Sequence, residues 1–308
     1  LFIRGNIMIQ WLLKKELSQE RTMRAITGMS IRQFLELSIF IHQICLSETK
    51  KPKRRTMGGG RKHTLKDAEA KTLFLLFYLK IYPTYDFASI LYLVDRSQIC
   101  RWVKQLLPIL EIALGRSLSF PKRKISSMEE FQEAFPDIHT IIIDATERRS
   151  RRPRSSKALK RRYSGKKKSH TRKNTIIADR YKHIRFISPT REGKKHDLTL
   201  VKKEAFSPYI SPGTEVFGDK GYTGLQALVP SKVSVYIPKK HRKKIPLTKQ
   251  EREENQIINS IRIPVEHAIG GMKRFGCMQT PIRNKDWNIE DLLPALCAGL
   301  WNFHLDRS

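Results

Sequence analysis

The chain has 308 residues, about twice the usual domain length, so one large domain plus a smaller module is expected. Its 60 Lys and Arg against 29 Asp and Glu give a formal net charge of +31, which would repel itself in a compact fold unless a polyanion lies against it. Nucleic acid is therefore the leading partner, and on charge alone a ribosomal-type structural protein or a basic protein drawn to anionic membranes remains open.

The cysteines and the apolar stretches exclude several classes. Cys45, Cys100, Cys277 and Cys297 lack the paired spacing of a zinc ribbon or a disulfide framework, so we expect reduced core residues. The longest apolar stretch, residues 72–79, is too short to span a bilayer. The apolar opening of the chain is short and soon charged, which does not indicate a signal peptide.

The first part of the chain is predicted to be helical. Residues 31–46 place apolar side chains at helical spacing, so we expect a helical region over 1–49. A basic, glycine-rich stretch follows, and we interpret residues 50–62 as a linker that lies on phosphate or serves as a solvated tether.

Residues 63–118 have the order of a helix-turn-helix domain. Thr64 with Asp67 three residues later predicts a capping box at the start of a helix that reaches about Lys80. A second helix is expected over 86–93, then a turn, and then a third helix with Ile99 and Trp102 on its apolar face.

The third helix is predicted to face DNA. Its outward residues would be Ser97, Gln98, Arg101 and Lys104, which can contact base edges and phosphates. Three amphipathic helices also occur in many proteins that ignore DNA, so this pattern alone leaves that alternative open.

After a predicted linker at 119–137, the pattern becomes strand-like, and we expect a mixed αβ catalytic domain over 138–308. The predicted strands are 139–144, 175–179, 183–188, 214–219 and 233–237. The predicted helices are 197–205, 248–274 and 290–306.

Acidic residues follow two of these strands. Asp144 and Asp219 each end an apolar run, so both carboxylates would emerge at the carboxyl edge of neighbouring strands, where a metal site can be built. Either one alone is also an ordinary turn residue. Glu266 has Lys273 seven residues on, on the same helical face, a pairing that suits a metal and a phosphate. Pro264 predicts that this helix restarts there, with Arg262 just before it.

A basic ribbon, the run of Lys and Arg from Arg148 to Lys173, contains no acid and can bring DNA phosphates to such a site. Residues 239–244 are expected to add a second basic patch. From these patterns and the end of the helix after Glu266, the predicted DNA contacts are Arg161, Arg162, Lys166, Lys167, Lys168 and Lys273.

Several motifs in this order resemble the DDE domain of IS5-family bacterial transposases, which are kin to the eukaryotic Harbinger group. They are Ile141-Ile-Ile-Asp-Ala-Thr, Tyr163-Ser-Gly-Lys-Lys-Lys-Ser-His170, Lys195-His-Asp197, Phe217-Gly-Asp-Lys-Gly-Tyr222 and Arg262-Ile-Pro-Val-Glu-His. Gly60-Arg-Lys-His-Thr-Leu and residues 95–106 are similar to that family's helix-turn-helix. The resemblance covers roughly residues 60–304.

The resemblance implies an RNase H-like catalytic domain, α+β or α/β, with a mixed sheet and flanking helices, preceded by an all-α helix-turn-helix domain. It implies that Asp144, Asp219 and Glu266 hold two Mg²⁺ ions, with Mn²⁺ as a substitute, for cutting and joining DNA at the ends of an insertion sequence. The expected partners are double-stranded element ends and target DNA, with a homo-oligomer assembled on DNA, no membrane, and a cytoplasmic location at the bacterial nucleoid. Residues expected to support the metal ligands are His196, Asp197, Lys220 and Arg262.

Alternatives stay open at this point. Asp179, Glu147 and Asp197 are rival acids, and Asp197 is interpreted as a supporting residue or a helix cap. The chain as a whole can also be interpreted as a domesticated or decayed relative that binds DNA without cutting it, a basic regulator or ribosomal-type protein, or a stand-alone nuclease or resolvase of the same fold.

Overall fold

The computed structural model describes residues 19–49, 64–136, 139–241 and 246–308. The predicted linker at 50–62, the first 18 residues and part of the second basic patch, residues 242–245, lie outside the described residues. The chain forms two compact units: a helical unit that reaches Phe120 and includes 274–277 and 303–308, and a sheet unit formed by Pro121–Lys273 and Met278–Asn302. Parts of the predicted catalytic domain thus cluster with the helices, and its boundaries stay a prediction.

The described helical unit consists mainly of α1 (Glu20–Thr27), α2 (Ile31–Thr49), α3 (Ala68–Ile81), α4 (Tyr85–Tyr92) and α5 (Arg96–Arg116). The predicted helix over 31–46 and the three helices of the helix-turn-helix are confirmed. The predicted cap at Thr64 was wrong. The carboxylate of Asp67 accepts a hydrogen bond from the Ala70 amide at 2.7 Å, and α3 begins one residue after this Asp.

A tight turn links α4 to α5. Leu93 ends α4 in the left-handed conformation, with φ of 51°, and the Asp95 carboxylate caps α5 by accepting from the Ser97 amide at 2.7 Å. Phe74 of α3 packs edge-on against Tyr92 and Trp102, with both ring centroids 5.3 Å away. This aromatic core fixes which face of α5 is buried.

The sheet unit alternates strands with helices. Its strands are β1 (Thr140–Arg149), β2 (Tyr163–Ser164), β3 (Ser169–Asp179), β4 (Ile184–Ile187), β5 (Arg191–Glu192), β6 (Glu215–Gly218) and β7 (Ser234–Tyr236). The helices that begin in this unit are α6 (Met128–Ala134), α7 (Ser156–Arg162), α8 (Asp197–Glu204), α9 (Lys249–Met272) and α11 (Trp287–Leu305), and the short α10 (Gly276–Gln279) precedes α11. Single turns of 3₁₀ helix lie at Ser207–Tyr209, Lys220–Tyr222 and Leu225–Leu228.

The sheet is mixed, as expected, with the order β2-β3-β1-β6-β7. β1 pairs antiparallel with β3 and parallel with β6, β6 pairs parallel with β7, and β4 and β5 pair with β3. All of the predicted strands are confirmed, as β1, β3, β4, β6 and β7. The predicted linker at 119–137 contains α6, which packs Phe131 into the apolar core beneath the sheet.

The strand register sets the position of the predicted acids. Ile143 of β1 pairs in parallel with Gly218 of β6, so Asp144 and Asp219 follow side by side. β6 ends at Gly218, but β1 continues to Arg149 because β3 continues beside it as an antiparallel partner. The prediction that Asp144 ends its strand was therefore wrong, although its neighbour Asp219 does follow a strand end.

α9 is one continuous helix, which corrects the prediction of a restart at Pro264. Thr248 and Glu251 form a capping box at its beginning, and Pro264 lies inside the helix. α9 packs against β1, β3 and β6, and Val265 and Ala268 beside the proline are buried. Packing therefore holds the helix together across the missing amide, and Arg262 lies inside it. Among the helices of the described ranges, none is long and apolar enough to cross a membrane.

Candidate active site

Asp144 lies in a half-buried position next to other carboxylates. Its Oδ1 accepts a hydrogen bond from the Ala145 amide at 2.7 Å, and its Oδ2 lies 3.2 Å from Nη2 of Arg262. Burial raises the pKa of Asp144 to about 6, the Ala145 amide and Arg262 act in the opposite direction, and the negative charges of Asp219 and Asp197 raise it further. These acids are therefore close enough to repel one another.

Asp219 and Asp197 meet at Gly221. The Gly221 amide donates to Oδ1 of Asp219 at 2.7 Å. A β-carbon on this glycine would lie 2.7 Å from Oδ2 of Asp197 and 2.8 Å from Oδ1 of Asp219, closer than such contacts occur. Only a glycine therefore lets the two carboxylates come together here, and Asp197, expected as a helix cap or supporting residue, joins the acid cluster.

Lys173 is a second buried cation of this cluster, besides Arg262. Its Nζ lies 2.9 Å from Oδ1 of Asp197 and 3.2 Å from Oε1 of Glu147, and it donates to the Lys195 carbonyl at 3.1 Å. Burial alone would lower the pKa of Lys173, but Asp197 and Glu147 outweigh burial and hold this pKa above its ordinary value. Lys173, counted in the basic ribbon from its sequence, is instead held by two carboxylates.

Tyr222 lies beneath the acids. Its hydroxyl is buried and makes no hydrogen bond with any of the described residues. Burial raises the pKa of Tyr222 well above its usual value, and Asp144, Asp197 and Asp219 add to the shift. The phenol therefore stays neutral, and its ring forms part of the apolar core below the site.

Glu266 is carried by the helix that packs against β1 and β6. It occupies α9 one turn after Arg262, and its side chain is exposed. Within the ranges that the structure describes, no group of three or more His, Cys, Asp or Glu side chains is arranged to hold a metal ion. Three other residues were expected near the metal ligands. Lys273 is half-buried at the C-terminal cap of α9. His196 and Lys220 are exposed, and in the sequence His196 precedes Asp197 and Lys220 follows Asp219.

Two rival acids have other partners. Asp179 is fully buried at the end of β3, where it accepts from the amides of Tyr181 and His183 and from Nε of Arg185 at 2.8 Å. Glu147 is held by Lys173 and by the Thr171 hydroxyl, which donates at 2.9 Å. Both carboxylates are thus committed to structural contacts.

The basic ribbon divides into buried and exposed parts. Arg148 and Arg172 are buried in β1 and β3, and Arg172 forms an ion pair with the buried Glu290 of α11. The predicted DNA contacts of the ribbon are more accessible. Lys166, Lys167 and Lys168 are exposed between β2 and β3, Arg161 is exposed, and Arg162 is partly buried.

In the helical unit, the predicted outward face of α5 is confirmed. Ser97, Arg101 and Lys104 are exposed and Gln98 is partly buried, while Ile99, Trp102 and Val103 face the core. Arg101 donates from Nη2 to the Ser97 hydroxyl at 3.3 Å. These side chains therefore lie on the face of α5 that is opposite its buried residues.

A mixed sheet that carries adjacent carboxylates after paired positions of two parallel strands, in a chain that also has a helix-turn-helix unit, is the combination of a DNA-binding endonuclease. Two parts of the chain match known families. Residues 143–302 match the family described as DDE superfamily endonuclease, and residues 63–116 match the helix-turn-helix of DDE superfamily endonuclease. The chain belongs to the DDE superfamily of endonucleases.

A relative extends the likeness over almost the whole chain. The protein named "Probable transposase for insertion sequence element IS702", from Microchaete diplosiphon, is 28% identical over 295 residues, which cover 95% of this chain and 99% of the relative. No solved structure matches the chain. The narrower IS5 assignment stays a prediction.

The superfamily implies dependence on a divalent metal ion and binding to DNA. The acid cluster fits such an ion in its chemistry, because carboxylate oxygens are the ligands of hard cations and the repulsion around Asp144 would be relieved by one. The positions of Asp197 and Asp219 also fit a metal ion, because Gly221 lets these two carboxylates approach each other. Glu266, the third residue of the predicted ligand set, is exposed on α9 one turn after Arg262, which pairs with Asp144.

Proposed function

We propose that this protein is a transposase that binds the ends of an insertion sequence and catalyses metal-dependent cleavage and strand transfer of DNA. One observation carries the proposal: Asp144 and Asp219 follow paired positions of parallel neighbouring strands and lie within electrostatic reach of Asp197. The likeness to a probable transposase over 95% of the chain supports it.

For the metal we propose two Mg²⁺ ions, with Mn²⁺ as a substitute, held by Asp144, Asp219 and Glu266. Ions bound there would neutralise the charge that develops on the attacking and leaving oxygens of a phosphodiester. Glu266 is exposed on α9 one turn after Arg262, the partner of Asp144, and we propose that its carboxylate completes the set when metal and DNA are bound.

The chain's own residues would keep the acids in place before that. Arg262 restrains Asp144, and Lys173 restrains Asp197, so two like-charged carboxylates are each held by a cation. We propose that Lys220 and His196, which are exposed beside the acids, assist at this edge.

DNA binding is assigned to the exposed cations and polar groups of both units. In this proposal α5 reads the element end and the surface of the sheet unit holds phosphates, on a homo-oligomer assembled on DNA. The residues proposed for these contacts are Ser97, Gln98, Arg101, Lys104, Arg161, Arg162, Lys166, Lys167, Lys168 and Lys273.

The test is strand transfer in Mg²⁺ with labelled, pre-cleaved duplexes taken from the DNA that flanks the coding gene. Wild-type protein should join these ends to target DNA. Asp219→Asn should abolish cleavage and joining while leaving end binding nearly intact, because the amide keeps the shape of Asp219 but loses the charge that holds a hard cation. Glu253→Gln, which changes an exposed acid of α9 in the same way, is the control and should retain activity.

Binding of the ends without any cleavage or joining by the wild-type protein would contradict the proposal and favour a DNA-binding relative that has lost its activity. Cleavage without joining of pre-cleaved ends would favour a stand-alone nuclease.

A further inference from the structure

A strongly basic pocket lies in the sheet unit, next to the acid cluster. Its volume is about 370 Å³, within the roughly 300–1,000 Å³ range of small-molecule sites. Trp287 and Glu192 form part of its wall. The cationic residues that line it come from α7, β3, β5 and α8 and the loop before α8: Arg161, Arg162, Arg172, Arg191, Lys195 and Lys203.

Three of these cations are already paired with carboxylates. Arg172 binds the buried Glu290, Arg191 donates from Nε to Glu204 at 2.8 Å, and Nε of Arg161 lies 3.0 Å from Glu192. These pairs fix the wall of the pocket. Because a carboxylate already neutralises each of these three cations, little of their positive charge is left for a ligand.

The other three cations are different. Among the described residues, Arg162, Lys195 and Lys203 form no ion pair with a carboxylate. Lys195 and Lys203 both line the pocket, and their side chains meet there. Burial and the nearby Arg172 lower the pKa of Arg162, and the carboxylates of Glu290 and Glu192 act in the opposite direction. Like charges are thus crowded together in a cavity, and an anion placed between them would relieve the repulsion.

Trp287 adds an aromatic surface beside these cations. Its residue is 45% exposed, and the Arg172 guanidinium lies 4.6 Å from the ring centroid. An aromatic ring next to cations is the combination that proteins use for an unpaired nucleotide, whose base stacks while its phosphate is neutralised. A base inside a duplex cannot stack on such a ring because both of its faces are covered by neighbours.

We propose that this pocket binds one unpaired nucleotide, with its phosphate held by Arg162, Lys195 and Lys203 and its base stacked on Trp287. The nucleotide belongs to a DNA strand or is a free nucleoside phosphate. Its assignment to a DNA strand rests on the proposed function, whereas the recognition chemistry does not.

The pocket is connected to the acid cluster through one residue. The Lys195 side chain lines the pocket, and the Lys195 carbonyl accepts a hydrogen bond from Lys173, which holds Asp197. A nucleotide bound in the pocket would therefore lie beside the candidate active site.

The test compares the affinity of the full-length protein for three labelled duplexes of one flanking sequence, in EDTA and at fixed salt so that no cleavage is needed. One duplex is blunt, one carries a single unpaired 3′ nucleotide, and one carries an abasic nucleotide at that position. Wild-type protein should bind the duplex with the unpaired base about fivefold or more tightly than the blunt one, with the abasic duplex between them.

The variants separate stacking from charge. Trp287→Ala should reduce the affinity for the unpaired base to that for the abasic duplex, and Trp287→Phe should keep the preference because a phenyl ring still stacks. The double variant Lys195→Ala/Lys203→Ala should remove the preference for both overhangs. Lys202→Ala is the matched control, because this exposed lysine of α8 does not line the pocket, and it should behave as wild type.

A titration of deoxyadenosine monophosphate without DNA distinguishes the source. Binding that is lost in Trp287→Ala and in the double lysine variant supports a site for free nucleotides, whereas a preference seen only with overhangs supports a DNA strand. If wild-type protein shows neither, or if both variants keep the wild-type preference, the proposal is overturned. If the blunt duplex itself is not bound, the proposed function fails, and the deoxyadenosine monophosphate titration still decides the pocket.

Discussion

Two parts of the basic ribbon carry the same positive charge but lie in different environments. Arg148, Arg172 and Lys173 are buried in the paired strands β1 and β3, and Arg172 and Lys173 form ion pairs with acids from other parts of the chain. Lys166, Lys167 and Lys168 lie between β2 and β3 and are exposed. A run of positive charge therefore does not mark one surface, and the strand pairing decides which charges stabilise the fold and which can contact DNA.

The largest loss of stability is expected when Glu290, the buried partner of Arg172, loses its charge. Glu290→Gln keeps the shape of the side chain but leaves the Arg172 guanidinium buried without a counter-charge, which should cost about 3–5 kcal/mol of stability. Urea unfolding monitored by circular dichroism checks this. The control is Glu133→Gln, which breaks the more exposed Lys122–Glu133 pair and should cost at most about 1 kcal/mol. Equal losses in the two variants would remove the distinction between buried and exposed charges.

The next largest effect is expected on the cleavage rate of Gly221→Ala, because this change displaces the acids without altering any charge. The added β-carbon would press on Asp197 and Asp219, and a displacement of about 1 Å in a catalytic site can cost about a hundredfold in rate. The cleavage rate at saturating DNA should fall by this order while the dissociation constant stays unchanged. Gly270→Ala is the control, because a β-carbon there meets open space. Full activity of Gly221→Ala would show that the closeness of these two acids is not needed.

On the helical unit, Gln98→Ala or Arg101→Ala should cost about 1–3 kcal/mol of binding free energy at the element end and little on random DNA, because base contacts carry sequence information. Competition binding with the two kinds of duplex measures the difference. An equal loss on both would mean that these side chains contact only the DNA backbone.

The smallest effect for each residue is expected on the exposed part of the ribbon. Replacing Lys166, Lys167 and Lys168 by Ala should weaken binding to all sequences alike and make the salt dependence shallower by a log–log slope of about 3, because phosphate contacts release counterions. Binding isotherms at several salt concentrations test this. A loss confined to one sequence would contradict the assignment.

Much of the fold could be predicted because its signals are local. Apolar runs indicated the main strands, and helical spacing with a turn at Asp95 indicated the helix-turn-helix. The pairing of Asp144 with Asp219 followed from their places after two apolar runs. The contacts of Asp197 with Lys173, 24 residues away in sequence, depend on loop paths and strand register, which no local pattern encodes. Pro264 misled for a related reason, because packing of α9 on the sheet overrides a local helix breaker.

The central claim is that different charged residues carry cleavage and DNA binding. Its most direct test measures the dissociation constant and the cleavage rate at saturating DNA, in Mg²⁺, for Asp219→Asn and for the triple Lys166, Lys167 and Lys168 variant beside wild type. Asp219→Asn should bind the element end as tightly as wild type and cut nothing, and the triple variant should bind weakly yet cut at nearly the wild-type rate once saturated. Loss of binding in Asp219→Asn, or loss of the saturated rate in the triple variant, would contradict the separation of the two roles.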